Sequence, residues 1–343
     1  MSLWPRLSEL PLEIERYELD ALTSGITFRE GMEAATVLVT LHGGGLEGLG
    51  EEPAPMVEQR DAYLNLGANL DLAGSWTVGS FAAHLRTVDQ WQLGEPEFEM
   101  AKRWRNWSFE SAGLDLALRQ AGLSLPTALG LEPRPLTFVN SLGLGDPPSA
   151  DTILRRLELY PTVGFKLDAA AAWTREIVDV LAGTGMVRTI DFKGRYGLEV
   201  EDFALLEAMY RIVIEAFPEA IFEDPHEELE ALIPPERLSF DAPIARASDV
   251  RTQIINVKPM RVGSLEPLLE LYAHCAANGI VMYGGGMGER GIARGQIELL
   301  AMLFHPDTPN DVAPTPFNDP EPAAGLPQSP LSPGDPPPGF RLN

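Results

Sequence analysis

VRTIDFKG (187–194) is the first of four segments that decide the fold, and it is followed by AIFEDP (220–225), LSFDAP (238–243) and IINVKP (254–259). Each segment is an apolar run, typical of a buried strand, that leads directly into a charged side chain. In chain order these side chains are Asp191, Glu223, Asp241 and Lys258.

The spacing of these four residues is that of a repeating strand and helix. Successive members lie 32, 18 and 17 residues apart in the numbering. A strand–helix repeat places its strands in parallel, so that all their carboxyl ends lie on one face. We therefore expect three carboxylates to meet there, and oxygen ligands of this kind bind a hard divalent cation such as Mg²⁺. Lys258 would face the same cavity, where it could act as a base.

Strand and helix patterns alternate from residue 136 onward. Eight evenly spaced strand segments predict a closed (β/α)8-type barrel, of the modified TIM kind. An open doubly wound sheet is the alternative, and even spacing favours closure. Besides the four segments above, the strands are LTFVNSL (136–142), VGFKLD (163–168), IVMYGGG (280–286) and NDVAP (310–314).

The residues before the barrel have a different pattern. Alternating, β-branched strands dominate residues 12–52, and a helical stripe runs through residues 78–130, which together predict an α+β capping domain. The chain ends in a proline-rich stretch that cannot form a helix, so we expect an extended tail on the surface or disorder. The predicted units are residues 1–133, 134–316 and 317–343.

Composition excludes several classes of partner. The 343 residues carry a formal net charge of -24, with 50 Asp and Glu against 26 Lys and Arg, so nucleic acid and anionic membranes are unfavourable partners. A single cysteine, Cys275, excludes an internal disulfide and a Cys-rich zinc site. We see no signal peptide and no apolar stretch of about 20 residues, so we expect a cytoplasmic protein.

Further polar residues lie at the predicted strand ends. Residues two apart on a strand point to the same face, so Lys166 shares a face with Asp168, and Asn256 shares one with Lys258. Five neighbouring strands thus end in charge, and clustered ionisable groups in a cleft indicate a functional site.

The order of these motifs resembles the enolase superfamily, in particular its mandelate racemase and muconate lactonizing enzyme branch. TIDFKG, IFEDP and FDAPI are similar to its three metal-ligand motifs, and NVKP to its sixth-strand lysine motif. LHGGGLEGLGEE (41–52) is similar to a capping-domain stretch, and YGGGMGERGIARG (283–295) to the seventh-strand turn. The order and spacing of the motifs, rather than any one of them, make the resemblance specific.

The resemblance implies a Mg²⁺ enzyme that removes a proton α to the carboxylate of a small substrate. A metal-stabilised enediolate would then undergo elimination, racemisation or cycloisomerisation, and enzymes of this superfamily pair a Lys or His base with Mg²⁺. The implied metal ligands are Asp191, Glu223 and Asp241, the candidate acid–base residues are Lys258, Lys166 and Lys193, and weaker substrate candidates are Asp168, Asn256, Arg29 and Glu289.

Three positions depart from the family pattern. Lys166 stands alone where two lysines are usual, with Asp168 in or just beyond the second place. Lys193 stands where Asn is common, and could replace a base or pair with Asp168. Ala242 stands where an acid is common.

Two rival functions remain open from the sequence. One is metal-assisted hydrolysis with a metal-bound water as nucleophile. The other is a degenerate barrel that binds a ligand or partner without turnover. Substrate identity, the choice between lyase and isomerase, and whether the chain forms a homo-oligomer also stay open.

Overall fold

The computed structural model describes residues 2–197, 200 and 202–342, and only the backbone of residues 27–29. The N-terminal part holds an antiparallel three-stranded sheet in the order β2-β3-β4 and a second antiparallel pair, β1-β5. Its strands are β1 (Pro11–Ile14), β2 (Arg16–Arg29), β3 (Met32–Gly43), β4 (Leu46–Pro53) and β5 (Gly74–Thr77). Its helices are α1 (Pro5–Ser8), α2 (Val57–Leu66), α3 (Val78–Leu85), α4 (Ala101–Gln120) and α5 (Leu125–Leu129).

Helix α4 is the central element of this cap. Most of its residues are buried, as expected for a helix packed on several sides. It lies directly on β4 because that strand offers glycine at the contact: a Cβ on Gly50 would come within 1.9 Å of the Ser108 carbonyl oxygen. A side chain at Gly50 would therefore push α4 away from the sheet.

The second part is a seven-stranded, all-parallel sheet in the order β12-β11-β10-β9-β8-β7-β6. Its strands are β6 (Val139–Gly143), β7 (Gly164–Asp168), β8 (Val187–Asp191), β9 (Ile221–Glu223), β10 (Leu238–Phe240), β11 (Ile254–Val257) and β12 (Val281–Gly284). The helices are α6 (Asp151–Leu159), α7 (Arg175–Thr184), α8 (Phe203–Ala216), α9 (Pro259–Val262), α10 (Leu265–Asn278) and α11 (Ile292–Phe304), with short 3₁₀ turns after β9 and β10.

The eighth predicted strand, NDVAP, makes isolated bridges rather than a ladder. Asn310 pairs with Phe138 beside β6, and Asp311 pairs with Gly285 beside β12. Both edges of the sheet are therefore hydrogen-bonded to residues 310–311, and Asp311 N donates to the Gly284 carbonyl over 2.8 Å. The prediction of an α+β cap on a parallel β/α domain is confirmed.

The proline-rich tail is anchored inside the molecule at Phe340. Phe340 is fully buried and packs edge-on against Trp107 of α4. Asp115, also on α4, accepts a hydrogen bond from Phe340 N and pairs with Arg341. The expectation of a tail that is only draped or disordered is therefore wrong at this end, because the prolines lead to an aromatic anchor.

Candidate active site and metal centre

The carboxyl ends of β7, β8 and β9 bring the predicted residues together. In the sheet register Asp168 lies opposite Asp191, and Asp191 lies opposite Glu223. Asp191 and Glu223 are fully buried, and Lys166 is 1% exposed. Apolar strands thus carry these charges into an interior where each must find a partner.

Lys166 is the cation at the centre of this group. Its Nζ lies 2.5 Å from Glu223 Oε1, 3.2 Å from Asp191 Oδ2 and 3.6 Å from Asp311 Oδ2. Burial alone would lower the pKa of Lys166, but the surrounding carboxylates outweigh it and hold that pKa well above its usual value. Lys166 therefore remains an ammonium in this arrangement.

Lys193 lies at the edge of the group, closer to solvent. Its Nζ is 3.1 Å from Asp168 Oδ1 and also pairs with Asp191. The Lys193 and Asp168 side chains are 33% and 40% exposed. Lys193 has a φ of 55°, a left-handed conformation that is uncommon for a residue other than glycine and clusters at functional sites.

Asp241 forms a second group with Lys258. Its Oδ2 lies 2.9 Å from Lys258 Nζ and accepts a hydrogen bond from Tyr196 Oη over 2.8 Å. Its Oδ1 pairs with the Arg261 guanidinium, which also donates to Tyr196 Oη. Asp241 is fully buried and Lys258 is 7% exposed, so these charges are paired inside the protein.

Three buried carboxylates are near enough to share one cation. Ligand atoms of Asp191, Glu223 and Asp224 all lie within 4.8 Å of one another. These hard oxygen donors fit Mg²⁺. Asp224 takes the place of Asp241, the third ligand predicted from the sequence, in this group. Its two oxygens accept main-chain hydrogen bonds from Asp241 N (2.9 Å) and Ala242 N (2.8 Å).

The four acids differ in their pKa values. Burial raises the pKa of Glu223 to about 8, helped by the charges of Asp191 and Asp241, and raises that of Asp224 to about 6. Burial acts on Asp191 in the same direction, but Lys166 and Lys193 outweigh it and lower the pKa to about 2. Lys258 and Arg261 likewise hold the pKa of Asp241 below its usual range. Burial thus raises the pKa of Glu223 and Asp224, whereas neighbouring cations lower the pKa of Asp191 and Asp241.

Lysine is concentrated in this site. Only four of the 26 basic Lys and Arg residues are lysines, and three of the four are Lys166, Lys193 and Lys258. The fourth, Lys102, pairs with Glu95 and Glu99 on the surface. Arginine keeps its proton in proteins, whereas a lysine amine can lose it, so lysine at these positions favours acid–base chemistry.

The weaker substrate candidates have different positions. Asn256 is fully buried and donates to Glu223 Oε2 over 3.3 Å, so it lies inside the acid cluster. Glu289 is also buried, accepts from Met287 N and lies 3.8 Å from Arg294, and its role toward substrate stays a prediction. The side chain of Arg29 lies outside the described residues.

Sequence patterns alone do not predict several residues of the site. Tyr283 Oη donates to Glu223, Tyr196 and Arg261 bind Asp241, and Asp311 approaches Lys166. Tyr283 could have been found, since it lies two residues from Gly285 on a predicted strand and shares its face. The low lysine count was a second usable signal. No sequence signal marks Tyr196, which lies in a turn.

Two domain models match the chain. Both are described as a domain of unknown function (DUF8230): the N-terminal domain matches residues 5–128 and the C-terminal domain residues 132–319. The C-terminal match alone covers more than half of the chain. The limits predicted from sequence, at residues 133 and 316, stay predictions. Among the described residues, no helix has the length and apolar character that crossing a membrane requires.

Curated relatives are distant. An o-succinylbenzoate synthase of Bacillus subtilis is 26% identical over 60% of this chain, and the matched stretch spans 57% of that relative's length. An N-succinylamino acid racemase of Thermus thermophilus is 25% identical over 90% of this chain and 84% of its own length.

Solved structures share the fold. The dipeptide epimerase of Methylococcus capsulatus, complexed with Mg and the dipeptide L-Arg-D-Lys, is 20% identical with a TM-score of 0.64, covering 88% of this chain and 90% of its own. Other structures with this fold are described as members of the enolase superfamily. The resemblance predicted from the motifs is confirmed at the level of fold.

Proposed function

We propose, from the premise that this chain belongs to the DUF8230 family and has the enolase-superfamily fold, that it is a Mg²⁺-dependent lyase or isomerase. It would remove a proton α to the carboxylate of a small substrate. The observation that carries the proposal is the meeting of three of the four lysines with a buried acid cluster at the strand ends.

Asp191 and Glu223 would hold the cation, with Asp241 as third ligand. The partners of Asp241 are side chains of Lys258, Arg261 and Tyr196, which can move, whereas main-chain amides hold Asp224 in place. When bound, Mg²⁺ would offset the negative charge that develops on the substrate carboxylate as the α-proton leaves.

The lysines would divide the proton chemistry. Lys258 is our first candidate for the base, because it lies at the mouth with one carboxylate partner, Asp241. Lys166 is buried against three carboxylates and would act as a fixed positive charge. Lys193 is the most exposed of the three and is the candidate for an acid or base on another side of the substrate.

The relatives suggest the first substrates to test. Their names include an N-succinylamino acid racemase and a dipeptide epimerase. Both substrate classes contain a carbonyl-flanked α-carbon whose proton is made more acidic when the adjacent carboxylate is neutralised. We therefore propose N-acylated amino acids and dipeptides as the first panel.

The deciding experiment is α-proton exchange in deuterated water, followed by NMR with and without Mg²⁺. We expect Mg²⁺-dependent loss of the α-proton signal for at least one panel member, absent in Glu223→Gln. Hydrolysis without exchange at carbon would support the metal-assisted hydrolase. Metal binding without any turnover across the panel would support the binding-only barrel.

The third ligand is tested separately by calorimetric Mg²⁺ titration. Asp241→Asn should weaken binding by about 10- to 100-fold, whereas Asp224→Asn should keep most of it, because its amide oxygen can still accept main-chain bonds. The reverse order would assign Asp224 as the ligand.

A further inference from the structure

Helix α4 of the cap contacts the loop that follows Lys258. This segment, residues 259–265, which we call the Lys258 loop, comprises the short helix α9 with Arg261, the turn at Gly263 and Ser264, and the first residue of α10. Asn106 Nδ2 donates to the Gly263 carbonyl over 2.6 Å, and Arg103 Nη1 donates to the Arg261 carbonyl over 3.3 Å. A Cβ on Gly263 would lie 2.6 Å from Arg103 Cβ, so the helix and the loop are in direct contact.

Glu110 is the acidic residue in this contact. It is 1% exposed on α4, and its carboxylate accepts from Leu265 N over 2.8 Å and from Ser264 Oγ over 2.9 and 3.0 Å. Asn106 Nδ2 donates to it as well, over 2.9 Å. One carboxylate thus joins the cap helix to the end of the loop.

The position of Glu110 matches an electrostatic need of α10. The first backbone N–H groups of a helix have no partner within the helix and carry a partial positive charge. Ser264, at the N-cap, makes no side-chain cap hydrogen bond of its own and donates to Glu110 instead. Glu110 supplies the missing acceptor from another part of the fold.

We infer that Glu110 is a positioning residue for the reaction: it holds the 259–265 loop, and through it the backbone that carries Lys258 and Arg261. Lys258 is linked to this loop directly, because its carbonyl accepts from Arg261 N and Val262 N over 2.9 and 3.1 Å. The cap would thereby set the location of the candidate base as well as covering the barrel. This inference rests on the proposed role of Lys258.

The scarcity of lysine gives a direct measurement. Acetylation with an N-hydroxysuccinimide ester, followed by peptide mass spectrometry, resolves all four lysines, and surface-exposed Lys102 serves as the internal reference. In Glu110→Gln, we expect Lys258 labelling relative to Lys102 to rise about tenfold, since loss of a buried hydrogen bond to a charged group permits local opening.

Asp115→Asn is the matched control. Asp115 lies on the same helix and is fully buried, but it binds Leu49 N, Phe340 N and Arg341, away from the Lys258 loop. This variant should lose stability while Lys258 labelling stays at the wild-type rate. Should Glu110→Gln fail to fold, Asn106→Ala removes the bond to Gly263 and tests the same contact.

Two results would overturn the inference: unchanged Lys258 labelling in folded Glu110→Gln, or an equal rise in Asp115→Asn. The labelling is done without metal or substrate, so it does not depend on turnover. In the Mg²⁺-loaded protein, the positioning role also predicts a lower kcat for α-proton exchange with Mg²⁺ affinity unchanged. A protein with no exchange activity would contradict the proposed function and leave the labelling result interpretable.

Discussion

Glu223 should make the metal-free protein less stable as the pH rises. Its pKa is raised from 4.5 to about 8, first by burial and then by the charges of Asp191 and Asp241. Between these values the folded state binds a proton that the unfolded state has released. The stabilisation is therefore complete below pH 4.5 and is lost as the pH rises through 8.

The magnitude follows from the size of the pKa rise. At about 1.4 kcal/mol per pKa unit, the rise from 4.5 to about 8 corresponds to about 5 kcal/mol of unfolding free energy. Unfolding entropy of about 2.1 cal/mol/K per residue gives about 0.7 kcal/mol/K for 343 residues, so the melting temperature should fall by about 7 °C.

The assay is thermal unfolding between about pH 4.5 and 8.5 in EDTA, for the wild type and Glu223→Gln. Asp224 and Glu298, with pKa values of about 6 and 7, titrate in the same range in both proteins, so the difference between the two curves isolates Glu223. Saturating Mg²⁺ should flatten the wild-type dependence, because the cation binds the ionised carboxylate. If the two proteins lose stability in parallel, the assigned role of Glu223 is refuted.

Three further outcomes are expected. Lys258→Ala should reduce the rate of α-proton exchange, measured by NMR, by about 10²-fold or more, whereas Lys102→Ala should keep wild-type activity. An equal loss of activity in the two variants would contradict a catalytic role for Lys258. Phe340→Ala should cost about 3–5 kcal/mol in urea unfolding, because a fully buried ring is removed; a cost below about 1 kcal/mol would show that the tail is not anchored. Burial lowers the pKa of His305 to about 4, so its neutral form is favoured in the folded state, and its contribution to stability should be lost as the pH falls from 6.5 to about 4. Urea unfolding of the wild type and His305→Asn over this range checks this, and an equal pH dependence of the two proteins would contradict it.

The strand ends show what local pattern can predict. Asp191, Glu223, Asp241 and Lys258 are predictable because each follows an apolar run, and a parallel strand–helix repeat brings the carboxyl ends of its strands to one face. That reasoning needs only the alternation of elements along the chain. It also accounts for Asn256, whose side chain shares a strand face with Lys258 and is found among the acids.

Residues outside the strands could not be predicted in the same way. Tyr196 reaches Asp241 across 45 positions of sequence, and Asp311 reaches Lys166 only because residues 310–311 bridge both edges of the sheet. Glu289, just past the glycine turn, is buried and lies 3.8 Å from Arg294, a contact that the sequence pattern does not indicate. These contacts depend on the path of the loops in three dimensions, which the local sequence pattern does not indicate.

By itself, the sequence determined the order of strands and helices, the α+β cap before the barrel, and the presence of acids and lysines at the strand ends, because side-chain periodicity is a local property of the backbone. Only the tertiary structure decided which acid lies beside which lysine, that burial raises the pKa of Glu223, and that Glu110 joins the cap to the Lys258 loop. These outcomes depend on distances and burial, which arise when strands distant in sequence close into one sheet.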